Sequence, residues 1–101
     1  MAIDAPVIAD ASSEATNATR LATSIGVAIR RYATRVEHAG PLVVLTTPSG
    51  YASALAQAID EGGHPGIAGT IAGDNTIFVA PREGTTSRSL SSELGEHLTR
   101  I

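Results

Sequence analysis

Cysteine is absent from this chain, which excludes disulfides, thiolate metal sites and thiol nucleophiles. Tryptophan and lysine are also missing, and the aromatic complement is only Tyr32, Tyr51 and Phe78. A core built by such a chain has to be assembled from Ala, Val, Ile and Leu. No stretch approaches the ~18 consecutive apolar residues that crossing a bilayer requires. Nor does the beginning of the chain read as a secretion signal, because it lacks a basic start and carries Asp4 and Asp10 where an apolar run would be needed. The expectation is a cytoplasmic protein without membrane attachment.

Charge is sparse and leans acidic. Charged residues make up 17% of the chain and the net charge is −3. All basic side chains are arginines, at positions 20, 30, 31, 35, 82, 88 and 100, and they are dispersed. A DNA-binding face carries a basic stripe that releases counterions from phosphate. Only Arg30, Arg31 and Arg35 come close to one, and a cluster at a helix end, where cations suit the helix dipole, accounts for them.

With 101 residues and a hydrophobic share of 43%, the chain fits one domain with a modest core. So small and aromatic-poor a core is expected to gain stability from assembly, which buries further apolar surface by mass action. Residues 1–16 lack a clear period, contain Pro6, and read as a tail or linker remnant, leaving residues 17–101 as the domain.

Ala18, Leu21, Ile25, Ala28, Ile29 and Tyr32 recur at helical spacing behind Thr16 or Asn17 as N-cap. Thr34 to His38 can be extended, Ala39-Gly40-Pro41 turns the chain, and Leu42 to Thr47 reads as an apolar strand buried on both faces. Pro48-Ser49-Gly50 ends that strand, and Ser49 is available to cap a helix from about Tyr51 to Glu61, with Tyr51, Leu55, Ala58 and Ile59 on one face and Gly62-Gly63 as its stop. Ile67 to Ala72 and Thr76 to Ala80 form a second hairpin. Leu90, Leu94 and Leu98 then mark a last helix capped at Thr85 or Thr86. The order α-ββ-α-ββ-α predicts an α+β two-layer sandwich, a four-stranded, mainly antiparallel sheet with helices packed on it.

Catalytic constellations are missing. His38, His64 and His97 fall in a hairpin, a loop and a helix, without the spacing or carboxylate pairing of metal sites. The serines do not occupy a strand-turn-helix nucleophile elbow. Gly62, Gly63 and Gly66 are followed by neither a helix start nor a lysine, so a helix stop and a loop explain them better than a phosphate cradle. The chain reads as a non-enzyme with no metal and no cofactor.

The most informative run is Gly69-Thr70-Ile71-Ala72-Gly73-Asp74-Asn75-Thr76-Ile77-Phe78. Two β-branched arms close on Gly73, Asp74 and Asn75, residue types that tolerate the positive φ of a tight hairpin. Asp74 thereby places an acceptor-only anion at a loop tip. On its own, such an aspartate also reads as turn chemistry, with its side chain bonding the backbone two residues on.

This run resembles the Gly-Thr-Ile-Ala-Gly-Asp-Asp-Thr-Ile signature of the C-terminal domain of bacterial arginine repressors, with Asn75 in place of the second aspartate. Leu42-Val43-Val44-Leu45-Thr46-Thr47-Pro48-Ser49-Gly50, followed by a helical segment ending at Asp60, is similar to that domain's strand, Thr-x-x-Gly corner and helix. The resemblance extends over roughly Thr19 to Leu98.

The resemblance implies that Asp74 receives the guanidinium of L-arginine, an effector ligand, in a planar charge-assisted pair. It further implies contacts from the strand backbone at Thr70 and Ala72 and from the helix at Ser53 and Asp60, with Asn75 beside the anchor. Asp60 also reads as an ordinary exposed helix-end residue. Asn75 keeps an acceptor but removes one negative charge and can donate, a change that points towards weaker arginine binding or a neutral relative such as citrulline.

Family domains form trimers that stack into hexamers with arginine at the interface, so the resemblance implies a homo-oligomer. Arginine repressors reach operator DNA through a winged-helix domain that precedes this region, and nothing in these 101 residues corresponds to it. The expected function is an L-arginine-sensing oligomerisation domain of a transcriptional regulator of arginine metabolism. The alternative is a structural trimerisation module without an arginine response.

Overall fold

Alternation decides the architecture. In the computed structural model, which describes residues 24–98, Val43 and Leu45 of strand β2 (Leu42–Thr46) are fully buried while their neighbours in the strand are half-buried. Strand β4 (Thr76–Pro81) repeats the pattern, with Ile77 and Val79 inside and Phe78 outside. Registers Val43↔Val79 and Leu45↔Ile77 bring the inward pairs side by side. Strand β1 (Arg35–Ala39) pairs with β2, and β3 (Ile67–Ala72) pairs with β4, so the order across the sheet is β1-β2-β4-β3 with every pairing antiparallel.

Helices close the inner face. The first, α1, is described over residues 24–32 and buries Ile25, Ala28 and Ile29. Helix α2 (Ala52–Gly62) buries Ala52, Leu55, Ala56 and Ile59, at positions recurring every three or four residues. It ends on Gly63, whose φ of 64° is left-handed and suits a residue without Cβ. Helix α3 (Ser87–Gly95) starts on Thr86, whose hydroxyl accepts from the Ser89 N–H at 3.0 Å, and it buries Leu90 and Leu94. These aliphatic side chains and the inward strand residues make one core cluster. No tyrosine or phenylalanine is fully buried within it, and Tyr32 packs against it half-buried.

The two-layer α+β sandwich in the order α-ββ-α-ββ-α is borne out, with element boundaries displaced by one or two residues. Residues 1–16, read as a tail, and the start of the first helix before residue 24 lie outside the described residues. Three local expectations are corrected. The strand at Leu42 is buried on one face only, because the helices all lie on one side of the sheet. Tyr51 remains 49% exposed and stacks on Tyr32 with ring centroids 5.8 Å apart, instead of joining the buried face of α2. Ser49 does not cap α2, whose N-cap residue is Tyr51 with no side-chain cap bond.

On the outer face, Val44, Phe78 and Ile71 form a row across β2, β4 and β3 through the registers Val44↔Phe78 and Ile71↔Phe78. Ile71 is 75% exposed and Phe78 is 47% exposed. Leu42 and Ala80 extend this apolar trough. No helix among the described residues is long and apolar enough to cross a membrane.

Candidate functional site

The tip between β3 and β4 is anchored at both its carbonyls and its amides. Gly73 N–H donates to the Thr76 carbonyl at 2.8 Å, closing the turn. Thr47 N–H donates to the Asn75 carbonyl at 2.8 Å, and Gly50 N–H donates to the Asp74 carbonyl at 2.9 Å. Ala52 N–H, in the first turn of α2, points at the same Asp74 carbonyl at 3.4 Å. The hairpin tip thus supplies the acceptors that the start of α2 lacks from its own side chains. Gly50 can reach over the tip because its φ is 88°, a left-handed value that glycine adopts without penalty.

Gly73 does not play the part its residue type suggests. Positive φ values among the described glycines occur at Gly40, Gly50, Gly63 and Gly84, so the turn closes with Gly73 in an ordinary conformation. The backbone freedom sits in the facing loop, at Gly50.

Asp74 is exposed, and among the described residues its carboxylate has one partner: Oδ2 accepts from the Ser49 hydroxyl at 2.6 Å. It lies beside the N-terminal end of α2, where the helix dipole favours an anion. The local turn-chemistry alternative, a carboxylate folded back onto its own backbone, is therefore not the arrangement adopted. In Asn75 the side-chain oxygen accepts from Thr76 Oγ1 at 3.0 Å. The amide still has a second lone pair on that oxygen, and its NH2 adds a donor that a carboxylate lacks.

The remaining residues singled out from the sequence gather elsewhere. Thr70 Oγ1 lies 3.0 and 3.1 Å from Asp60 Oδ1 and Oδ2, joining the inner face of β3 to the C-terminal half of α2. Ala72, one pleat further along the same face, is half-buried against the core. Ser53 is exposed in the first turn of α2, seven residues before Asp60 and so on the same side of the helix. From Ala52, beneath the Asp74 tip, to Asp60 the helix rises about 12 Å at ~1.5 Å per residue. The site residues therefore form two groups: Asp74 and Asn75 at one end of α2, and Asp60 with Thr70 at the other.

Ser49 is the residue that sequence reasoning passed over. Lying between Pro48 and Gly50, it carried only the signal of a cap, and its true partner is 25 positions away. Among the described residues, no group of three or more His, Asp or Glu side chains is arranged to hold a metal ion. The histidines have separate structural surroundings. His64 ties its loop to α3 through Glu93 Oε2 at 2.8 Å, and the Gly66 N–H donates to its Nδ1 at 2.9 Å. His97 packs its ring against Gly26 so closely that a Cβ there would lie 2.5 Å from Nδ1.

Comparison with known families decides the lineage. The family described as "Arginine repressor, C-terminal domain" matches residues 29–96, which include both hairpins, α2 and α3. The chain belongs to this family. An arginine repressor of Clostridium botulinum (strain Langeland) is 45% identical over 64 residues, covering 63% of this chain and 43% of the relative. That of Clostridium kluyveri is 46% identical over 65 residues, 64% of this chain and 43% of the relative. In Anaeromyxobacter sp. (strain Fw109-5) the figure is 44% over 70 residues, 69% of this chain and 44% of the relative. The arginine-repressor-like domain thus spans less than half the length of these relatives. These relatives are arginine repressors by name.

Proposed function

We propose that this domain senses L-arginine and couples the ligand to self-assembly in a transcriptional regulator of arginine metabolism. The supporting observation is Asp74, an exposed carboxylate on a turn whose backbone is held by Thr47 and Gly50. A guanidinium is planar and permanently charged, and it forms paired hydrogen bonds with a carboxylate. Asp74 is the anchor; Asn75, Ala72, Thr70, Asp60 and Ser53 complete the candidate set.

The separation of these residues into two groups suits a ligand shared between copies. Asp74 of one copy would face the Asp60 and Thr70 group of another, and no single copy needs to bring the two ends of α2 together. Carboxylates brought together there, Asp74 of one copy and Asp60 of another, repel one another and lose solvation as copies approach, whereas a guanidinium between them neutralises charge and supplies donors. Ligand and assembly then favour each other reciprocally, with coupling of typically ~1–3 kcal/mol. The apolar row of Val44, Phe78 and Ile71 supplies the surface on which copies meet, as a trimer or a hexamer of two trimers. Operator DNA is the province of a winged-helix domain of the regulator, since the arginines described here are few and dispersed.

One observation favours a variant of this reading. Asn75 can present a donor beside the acceptor Asp74, a pairing that matches a ureido group, which has both N–H donors and a carbonyl acceptor, better than an all-donor guanidinium, so citrulline is the competing ligand. Calorimetric titration of L-arginine and L-citrulline into the protein, with Asp74→Ala as control, tests both. Heat from arginine that disappears in Asp74→Ala is the expected result, and equal heats from the two proteins would sink Asp74 as anchor. Native mass spectrometry adds the assembly arm: a population unmoved by saturating arginine indicates a purely structural oligomerisation module.

A further inference from the structure

We infer that Ser49 is a positioning residue that sets the plane of the Asp74 carboxylate and thereby selects planar guanidinium over a point-charge ammonium. The inference rests on the reading of Asp74 as the ligand anchor. It goes further by assigning a role to a residue on a different loop, 25 positions upstream.

The physical basis is the division of labour at the tip. The backbone of Asp74 is already fixed by Gly50 N–H at 2.9 Å, and that of Asn75 by Thr47 N–H at 2.8 Å. Nothing in those contacts restrains the side chain, whose carboxylate rotates about a broad terminal torsion. Among the described residues, the Ser49 hydroxyl, 2.6 Å from Oδ2, is the one hydrogen bond that does. Ser49 is itself held in place: Pro48 has a locked φ, Gly50 sits at φ 88°, and Tyr51 N–H donates back to the Pro48 carbonyl at 3.2 Å, closing a tight turn around Ser49.

A carboxylate offers about four lone-pair directions. Ser49 occupies one on Oδ2 and leaves an acceptor direction there as well as both on Oδ1. That is sufficient for two parallel N–H···O bonds, but only in the plane the serine dictates. Fork-to-fork pairing depends on coplanarity, while an ammonium docks on either oxygen from many directions. Restraining the plane therefore benefits guanidinium ligands selectively.

The test uses the full chain and compares L-arginine with L-ornithine by calorimetry for the wild type, Ser49→Ala and Ser49→Thr. The expected result is a loss of about three- to tenfold in arginine affinity for Ser49→Ala, the range for one hydrogen bond. Ornithine affinity should change less than twofold by the same measure, and Ser49→Thr should restore the arginine-to-ornithine ratio. An unchanged ratio in Ser49→Ala, or an equal weakening of both ligands, overturns the role of Ser49 while leaving Asp74 as anchor. Absence of arginine binding by the wild type overturns the sensor reading and the role of Ser49 together.

Discussion

At the scale of single residues, the candidate site owes its order to a glycine that the pattern did not favour. Gly50 has φ 88°, whereas Gly73, inside the conspicuous run, has no positive φ and its Cβ would meet only the Thr76 carbonyl at 3.8 Å. Two substitutions separate these roles. Gly50→Ala is expected to lower stability by about 1–2 kcal/mol, the cost of placing a Cβ in the left-handed region. Gly73→Ala should stay within about 0.5 kcal/mol of wild type, as for an unstrained surface change. Urea unfolding of both variants measures the contrast, and a larger loss at Gly73 would contradict this account of the turn. Asp74 was legible because residue type and turn position reinforced each other. Ser49 was not, because a hydrogen bond between two loops 25 residues apart leaves no periodic trace along the chain.

At the scale of elements, periodicity carried most of the information. Inward positions repeat every second residue in β2 and β4 and every third or fourth in α2, and those repeats are intrinsic to backbone geometry. The ends were read less well. An apolar strand ends where its partner ends, so β4 runs on to Pro81 because β3 begins opposite at Ile67, with a register shift before Gly69. Burial of β2 on both faces was misread for a related reason: hydrophobicity reports that a face is apolar, not which neighbour covers it. Capping, in contrast, is local chemistry. Thr86 accepts from Ser89 N–H three residues on, and Thr86→Ala should cost about 1 kcal/mol in thermal or urea unfolding. A loss below experimental error would mean that packing of Leu90 and Leu94 alone holds α3 in place.

At the scale of the whole molecule, the face of the sheet that no described helix covers is the dominant feature. Ile71, Phe78 and Val44 align across three strands, and the most exposed of them, Ile71, contributes little to the core of one copy. Ile71→Asp is therefore expected to shift the protein towards single copies in sedimentation velocity while its circular dichroism spectrum stays that of the folded chain. Retention of the wild-type assembly would place the contact surface elsewhere. The fold class was accessible from sequence because each element has one apolar side to bury. The proposed contact surface was foreshadowed only in outline, through the meagre aromatic content, since a row of side chains on three separate strands exists only once the strands are paired.

Among the described residues the helices lie on one side of the sheet only, so the apolar slab on the other side faces outward. If copies meet through that slab as proposed, dilution, more than warming, is the hazard: parting strips cover from it while every bond inside the copy stays intact.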